Sequence, residues 1–221
     1  MTLKEKILDI IFPPHCPVCD EVLQSGEVFC TKCRAAIIEN KSAKFIHSHE
    51  FAFSKVVFAA DYSDDTQPAI IRLKRIKGSA DSEVFAKLLA FTVIKELCNE
   101  VFDYVTAVPM SETKLKKRGH NQAETLAKNL AKELSLPYVD GLLIQLDDFL
   151  AQHTLGKEER AESANERYQA VKDAKTSGRV LLVDDVITTG ATLNRCAKLL
   201  RDIGADEVVA AAAVATPKKR K

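Results

Sequence analysis

The sequence predicts an α/β fold in which a parallel sheet is flanked by helices, preceded by a small N-terminal module built on four cysteines. Three observations predict it. The run Val180 to Val183 is continuously apolar, as a parallel strand covered on both faces must be, and it ends in Asp184 and Asp185 before the apolar Val186. A loop, Ile187 to Ala191, then leads into Leu193, Cys196, Leu199, Leu200 and Ile203 at helical spacing, with Gly204 past the helix end and Glu207 to Ala215 as the next strand. Strand, helix and parallel strand in that order make a right-handed crossover, with a ligand expected at the carboxyl ends of the strands. Separate from this unit, Cys16, Cys19, Cys30 and Cys33 fall as two Cys-x-x-Cys pairs.

A chain of 221 residues, 46% hydrophobic, suits one main domain with its own core plus something small. We divide it at residues 1–46, 47–216 and 217–221, the last a basic tail. Lys and Arg total 32 against 31 acids, which excludes a globally basic nucleic-acid binder and requires any cationic surface to be local. No apolar run is long enough to span a bilayer, and the acid-containing N-terminus lacks the apolar core of a secretory signal. The expectation is a soluble, cytoplasmic protein.

Residues Leu3 to Phe12 have the pattern of a short amphipathic helix ended by Pro13-Pro14. The two cysteine pairs that follow fit structural Zn²⁺, which takes four thiolates in a tetrahedron, and Glu21 to Phe29 can supply a ribbon hairpin with Ser25-Gly26 at its turn. A redox dithiol is the alternative for one pair, but two pairs at this spacing favour a closed metal site that stabilises or binds. His15 is a bystander beside four thiols, and Cys98 and Cys196 read as small buried hydrophobes on helix faces.

Ala35 to His49 reads as a linker and Phe51 to Tyr62 as the first strand of the main domain. Pro68 to Gly78 is a helix with Ile70, Ile71, Leu73 and Ile76 on one side and Arg72, Lys74, Arg75 and Lys77 on the other, either a solvated face or a phosphate-contacting one. Ser82 to Val101 is an amphipathic helix carrying Phe85, Leu88, Leu89, Val93, Ile94 and Leu97. Tyr104 to Val108 is a buried strand stopped by Pro109. At its carboxyl end, before a helix from Asn121 to Leu134, the segment Met110 to Ala123 brings Lys114, Lys116, Lys117, Arg118 and Gly119, a set able to form an anion pocket.

The loop after Asp185 has the makings of another. Unpaired N–H groups at a helix start bind anions, Gly190 lets backbone approach a phosphate, and Thr188, Thr189 and Thr192 add hydroxyl donors. Carboxylates beside a phosphate repel it, so Asp184 and Asp185 are better explained as acceptors for hydroxyls of the same ligand, as a ribose diol offers. The ligand implied is a sugar phosphate. A plain strand-end acid and an ordinary helix cap leave two acids, three threonines and a glycine unexplained together.

The segment VDDVITTGAT resembles the 5-phosphoribosyl-1-pyrophosphate (PRPP) loop of type I phosphoribosyltransferases. That resemblance implies that Asp184 and Asp185 bind the ribose hydroxyls and are the catalytic acids, and that Ile187, Thr188, Thr189, Gly190, Ala191 and Thr192 hold the 5-phosphate. It implies a pyrophosphate loop at Met110, Ser111, Arg118, Gly119, Asn121 and Gln122, with Mg²⁺ entering with PRPP. Pro109, Arg118-Gly119-x-Asn121-Gln122, Gln152 and Arg160, together with the cysteine module, are similar over nearly the whole chain to the ComF family of competence and DNA-uptake proteins. The resemblance implies a type I phosphoribosyltransferase-like domain joined to a four-cysteine zinc finger, with single-stranded DNA and a helicase-like competence ATPase at the inner membrane as partners. Lys74, Lys77, Lys116, Lys117 and Arg118 are the DNA-contact candidates, although a chain with no Trp and four Tyr has few stacking platforms for bases. Self-association stays open, as do an active transferase acting on a nitrogenous base and a PRPP-sensing regulator.

Two departures stand out. Where ComF-like sequences carry arginines this chain has Gln145, Leu146, Asp147 and Asp148, and Ser163 stands where they carry Asn, with Asn165 nearby. Gln152 to Tyr168 reads as a mobile hood over the site, and His120 and His153 read as solvated loop residues. The tail from Pro217 to Lys221 is either solubilising or phosphate-contacting.

Overall fold

The computed structural model describes residues 15–16, 19, 21–24, 30–33, 46–47, 51–62, 66–75, 80–147 and 167–216. Along the chain the elements are β1 (Ile46–His47), β2 (Lys55–Asp61), α1 (Gln67–Arg75), α2 (Ala80–Glu96), β3 (Tyr104–Ala107), α3 (Glu112–Arg118), α4 (Gln122–Glu133), β4 (Leu143–Gln145), β5 (Tyr168–Ala170), β6 (Arg179–Ile187), α5 (Ala191–Asp202) and β7 (Glu207–Ala215). The predicted helix at Leu3 to Phe12, the Ser25-Gly26 turn, Lys77, Gln152, His153, Arg160 and the basic tail lie outside the described residues.

Five strands form one sheet in the order β1-β2-β7-β6-β3. All pairings are parallel except that of β1, whose Ile46 and His47 lie antiparallel to Val56 and Lys55, so the expected linker contains a short edge strand. Residues alternate between two cores across this sheet. On one face Val57, Leu181, Val183, Val209 and Ala211 pack with Leu73, Phe85, Leu89, Leu126 and Leu130 from α1, α2 and α4. On the other, Val56, Val180, Leu182, Val208 and Ala210 pack with Phe53 and with Leu193, Cys196, Ala197 and Leu200 of α5. The central strand β7 is mostly alanine and fully covered, because helices above and below leave room only for small side chains.

Several elements differ from expectation. The helix expected to run to Val101 stops at Glu96, which turns Cys98 out to solvent, whereas Cys196 is buried as expected. Phe51 to Ser54 is bent and only Lys55 onward is strand. Phe51 and Phe53 stack with ring centroids 4.8 Å apart, and the Ala52 N–H donates to Asn194 Oδ1 at 2.6 Å, so this bend backs the start of α5. The cationic segment after β3 is a two-turn helix, α3, rather than a loop, closed by Gly119 at φ 78°. A second sheet, β4 with β5, pairs Gln145 directly opposite Tyr168. Among the described residues no helix is long and apolar enough to cross a membrane.

Candidate functional site

The carboxyl ends of β3 and β6 open into a cavity of about 330 Å³. Its lining includes Asp184 and Asp185 from β6, Thr188 and Thr192 around the start of α5, and Met110, Arg118, Asn121 and Gln122 from the segment after β3. The structure thus brings the two predicted halves into one pocket. Lys74 of α1, Lys114 of α3, Gln145 of β4 and Tyr168 of β5 complete it. Sequence reasoning assigned Lys74 to DNA, gave Gln145 no part and placed Tyr168 only at the end of a hood over the site. Among the described residues, the predicted Ser111, Lys116, Lys117, Gly119, Ile187, Thr189, Gly190 and Ala191 are not in the lining. Ser111 is buried, Gly119 closes α3, and Lys116 and Lys117 are exposed, with Lys116 paired to Glu112 at 3.4 Å.

The loop after β6 turns as its sequence demands. Gly190 sits at φ 81° at the N-cap of α5, a left-handed conformation that costs other L-residues energy. It packs against Phe51 and Phe53, and the Thr189 hydroxyl accepts from the Ala191 N–H at 3.3 Å. Ile187 is held by its carbonyl, which accepts from the Thr216 N–H at 2.8 Å and hydroxyl at 2.9 Å. The first-turn N–H groups of α5 have no intrahelical acceptor, as an anion site needs.

The segment from Arg118 to Gln122 ties four elements together. Asn121 caps α4 by accepting from Ala123 N–H at 3.1 Å, and its Nδ2 donates to the Val108 carbonyl at 3.0 Å, fixing the end of β3. Gln122 Nε2 donates to the Lys74 carbonyl at 3.2 Å, and Arg118 donates to Gln122 Oε1 at 3.2 Å. His120, expected in solvent, is 5% exposed and fills the gap to α1, with Nε2 3.2 Å from the Leu73 carbonyl and Nδ1 3.3 Å from the Arg118 carbonyl. Its ring lies outside the pocket lining, so it positions backbone.

Charge in the pocket is unevenly distributed. Burial, and then the neighbouring Asp185, push the Asp184 carboxyl well above the usual carboxylate range, with Lys74 opposing. Asp185 N–H donates to Asp184 Oδ1 at 2.8 Å, and Lys74 Nζ lies 3.6 Å from Asp185 Oδ2. Tyr168 is pushed up to about 12 by burial and then by Cys196 and Asp184, so it stays a neutral phenol. Lys74, Lys114 and Arg118 thus outnumber the two acids in the pocket lining, which suits an anionic ligand.

The four N-terminal cysteines form a second constellation. Their sulfurs lie within 4.8 Å of one another, with Cys19 and Cys30 3.5 Å apart, close to the sulfur separations of tetrahedral zinc. Cys16, Cys30 and Cys33 are buried. Burial pushes the Cys30 thiol up to about 11 and the Cys33 thiol higher still, so thiols this reluctant to ionise need a cation to hold them as thiolates. The residues fit a structural zinc ion.

The chain has known relatives. The family model of the phosphoribosyl transferase domain matches residues 89–221, and that of the double zinc ribbon domain matches residues 7–43. The chain belongs to the phosphoribosyl transferase domain family, in the zinc-ribbon-bearing, ComF-like form. It is similar to competence protein F of Haemophilus influenzae, 26% identical over 200 residues that make up 88% of this chain and 82% of that one. It is also similar to DNA utilization protein YhgH of Escherichia coli, 24% identical over 206 residues, 87% of this chain and 86% of that one. A shorter match, 33% identical over 90 residues, joins 40% of this chain to 18% of an amidophosphoribosyltransferase of Staphylococcus aureus.

Proposed function

We propose that this protein binds PRPP in the β3–β6 pocket and serves DNA uptake as an accessory that handles incoming single-stranded DNA in the cytoplasm, beside a helicase-like ATPase at the inner membrane. The observation that carries the PRPP reading is the meeting, in one cavity, of Asp184, Asp185, Thr188 and Thr192 with Lys74, Lys114 and Arg118. Ribose hydroxyls donate to the two carboxyl groups, the 5-phosphate takes the N–H groups and hydroxyls at the start of α5, and the pyrophosphate takes the cations of α1 and α3. Mg²⁺ entering with PRPP would neutralise part of the pyrophosphate charge that Lys74, Lys114 and Arg118 face. Calorimetry with Mg²⁺ and PRPP tests this: the expected result is saturable binding at one site per chain, and no heat with either PRPP or ribose 5-phosphate would reject it.

The likeness to a competence protein and to DNA utilization proteins supports the DNA part. Lys116 and Lys117 are exposed on α3 beside the pocket that Lys74 and Arg118 line. Labelled single-stranded DNA titrated at several salt concentrations should bind more weakly as salt rises, and charge-reversing Lys116 and Lys117 should shallow that slope. Binding insensitive to salt would count against this surface. A second reading, phosphoribosyl transfer to a nitrogenous base, is favoured by a pocket with a separate place for the departing pyrophosphate. Asp184 and Asp185 would steady positive charge developing on the ribose as that group leaves. Pyrophosphate release with candidate bases separates turnover from PRPP sensing.

A further inference from the structure

The pocket's two anion-binding ends come from different parts of the chain, and a pair of uncharged side chains joins them. Gln145 and Tyr168 face each other across the β4–β5 pair. Gln145 Oε1 accepts from the Ser111 N–H at 2.9 Å, just ahead of α3, and its Nε2 donates to the Tyr168 hydroxyl at 3.0 Å. The Tyr168 carbonyl accepts in turn from Arg195 of α5 at 3.3 Å, and Thr192 in the first turn of α5 lines the same pocket. Both side chains line the pocket. The links run from Ser111 through Gln145 to Tyr168 and from Tyr168 to Arg195 of α5.

We propose that Gln145 and Tyr168 are positioning residues that hold the pyrophosphate end and the 5-phosphate end at a fixed span, and so select a doubly phosphorylated sugar over a sugar monophosphate. This rests on the PRPP reading above. The physical reason is preorganisation. A ligand with one phosphate uses the α5 end alone and gains nothing from the position of α3. A ligand with groups at both ends collects the second set of contacts in full only if no ordering of α3 against α5 is needed on binding. Gln145 suits the task because it accepts and donates at once, which an arginine at this position could not do toward the Ser111 N–H.

The test is calorimetry on the full chain with two probes, PRPP with Mg²⁺ and ribose 5-phosphate, for wild type, Tyr168→Phe, Gln145→Ala and the double variant. Tyr168→Phe keeps the ring that packs on the core and removes only the hydroxyl. A single net hydrogen bond predicts a two- to tenfold loss of PRPP affinity, about the effect of ~0.5–1.5 kcal/mol, with ribose 5-phosphate changed less than about twofold. The double variant should lose less than the product of the single losses, because both break one path. Equal weakening of both probes, or an unchanged ratio between them, overturns the proposal while leaving PRPP binding intact. Wild type that binds ribose 5-phosphate and not PRPP overturns both, and the two failures are thereby told apart.

Discussion

Replacing Asp184 with Asn should stabilise the free protein and weaken its hold on PRPP, two effects of opposite sign from one atom pair. In the free protein the Asp184 carboxyl is raised by burial and by Asp185, and Lys74, 3.6 Å from Asp185, offsets only part of that repulsion. Asn keeps the oxygen that accepts the Asp185 N–H at 2.8 Å and removes the titrating charge. An acid whose folded-state value lies above its unfolded one costs nothing while both states are protonated, below about pH 4. The cost grows as pH rises above the unfolded-state value and levels off once pH passes the folded-state one. Thermal melts should therefore show no advantage for Asp184→Asn at pH 4 and a higher Tm than wild type at pH 8. In the complex the balance reverses, because a ribose hydroxyl loses a charge-assisted bond worth roughly 1.5–3 kcal/mol. Calorimetry should register a ten- to hundredfold weaker binding of PRPP, about what that energy converts to. A variant less stable than wild type at pH 8, or one that binds PRPP equally well, would refute the reasoning.

The zinc module, the α4 cap and the α5 turn each give a further expectation. Metal analysis of fresh protein should find about one zinc per chain, and Cys16→Ser should lose it along with the folded module; affinity should fall as pH falls, since protons compete for the raised Cys30 and Cys33 thiols. Asn121→Ala removes both the cap to Ala123 and the bond to the Val108 carbonyl, so urea unfolding should register a loss of about 1–3 kcal/mol. Gly190→Ala places its Cβ 3.7 Å from Phe51 and Phe53, an ordinary contact, so the penalty is conformational, roughly 1–2 kcal/mol. Ribose 5-phosphate binding should drop in that variant, because the turn it distorts presents the phosphate-binding N–H groups.

What the sequence disclosed follows from how each element is stabilised. The strands β3, β6 and β7 are apolar on both faces, and that burial is written directly into consecutive residues. The acidic pair and threonine loop were legible for the related reason that no packing need accounts for two acids, three threonines and a glycine together. The helix α3 was not, because none of its residues is buried and it carries no apolar stripe. Its boundaries come from Ser111 and from the Gly119 turn. The β4–β5 pair joins two three-residue strands distant in sequence, a pairing that no local pattern encodes. Gln145 and Tyr168 belong to the site through that pairing alone. His120 misled because a polar neighbourhood in sequence suggested water, whereas in space two backbone carbonyls receive its ring.

That last point bears on how the pocket acquires its charge. Lys74 reaches Asp185 from a short helix in which, among the described side chains, Ile70 and Leu73 are the buried ones. Its last turn is gripped by His120 and Gln122, which contact the Leu73 and Lys74 carbonyls, the very groups a helix C-terminus leaves unpaired. The same Gln122 accepts from Arg118, so one side chain sets the placement of two pocket cations. Replacing Gln122 should then weaken pyrophosphate-bearing ligands more than a neutral amide's own contact could explain. The segment expected from the sequence to be a pyrophosphate loop holds, through Gln122 and His120, the helices that deliver the pocket cations.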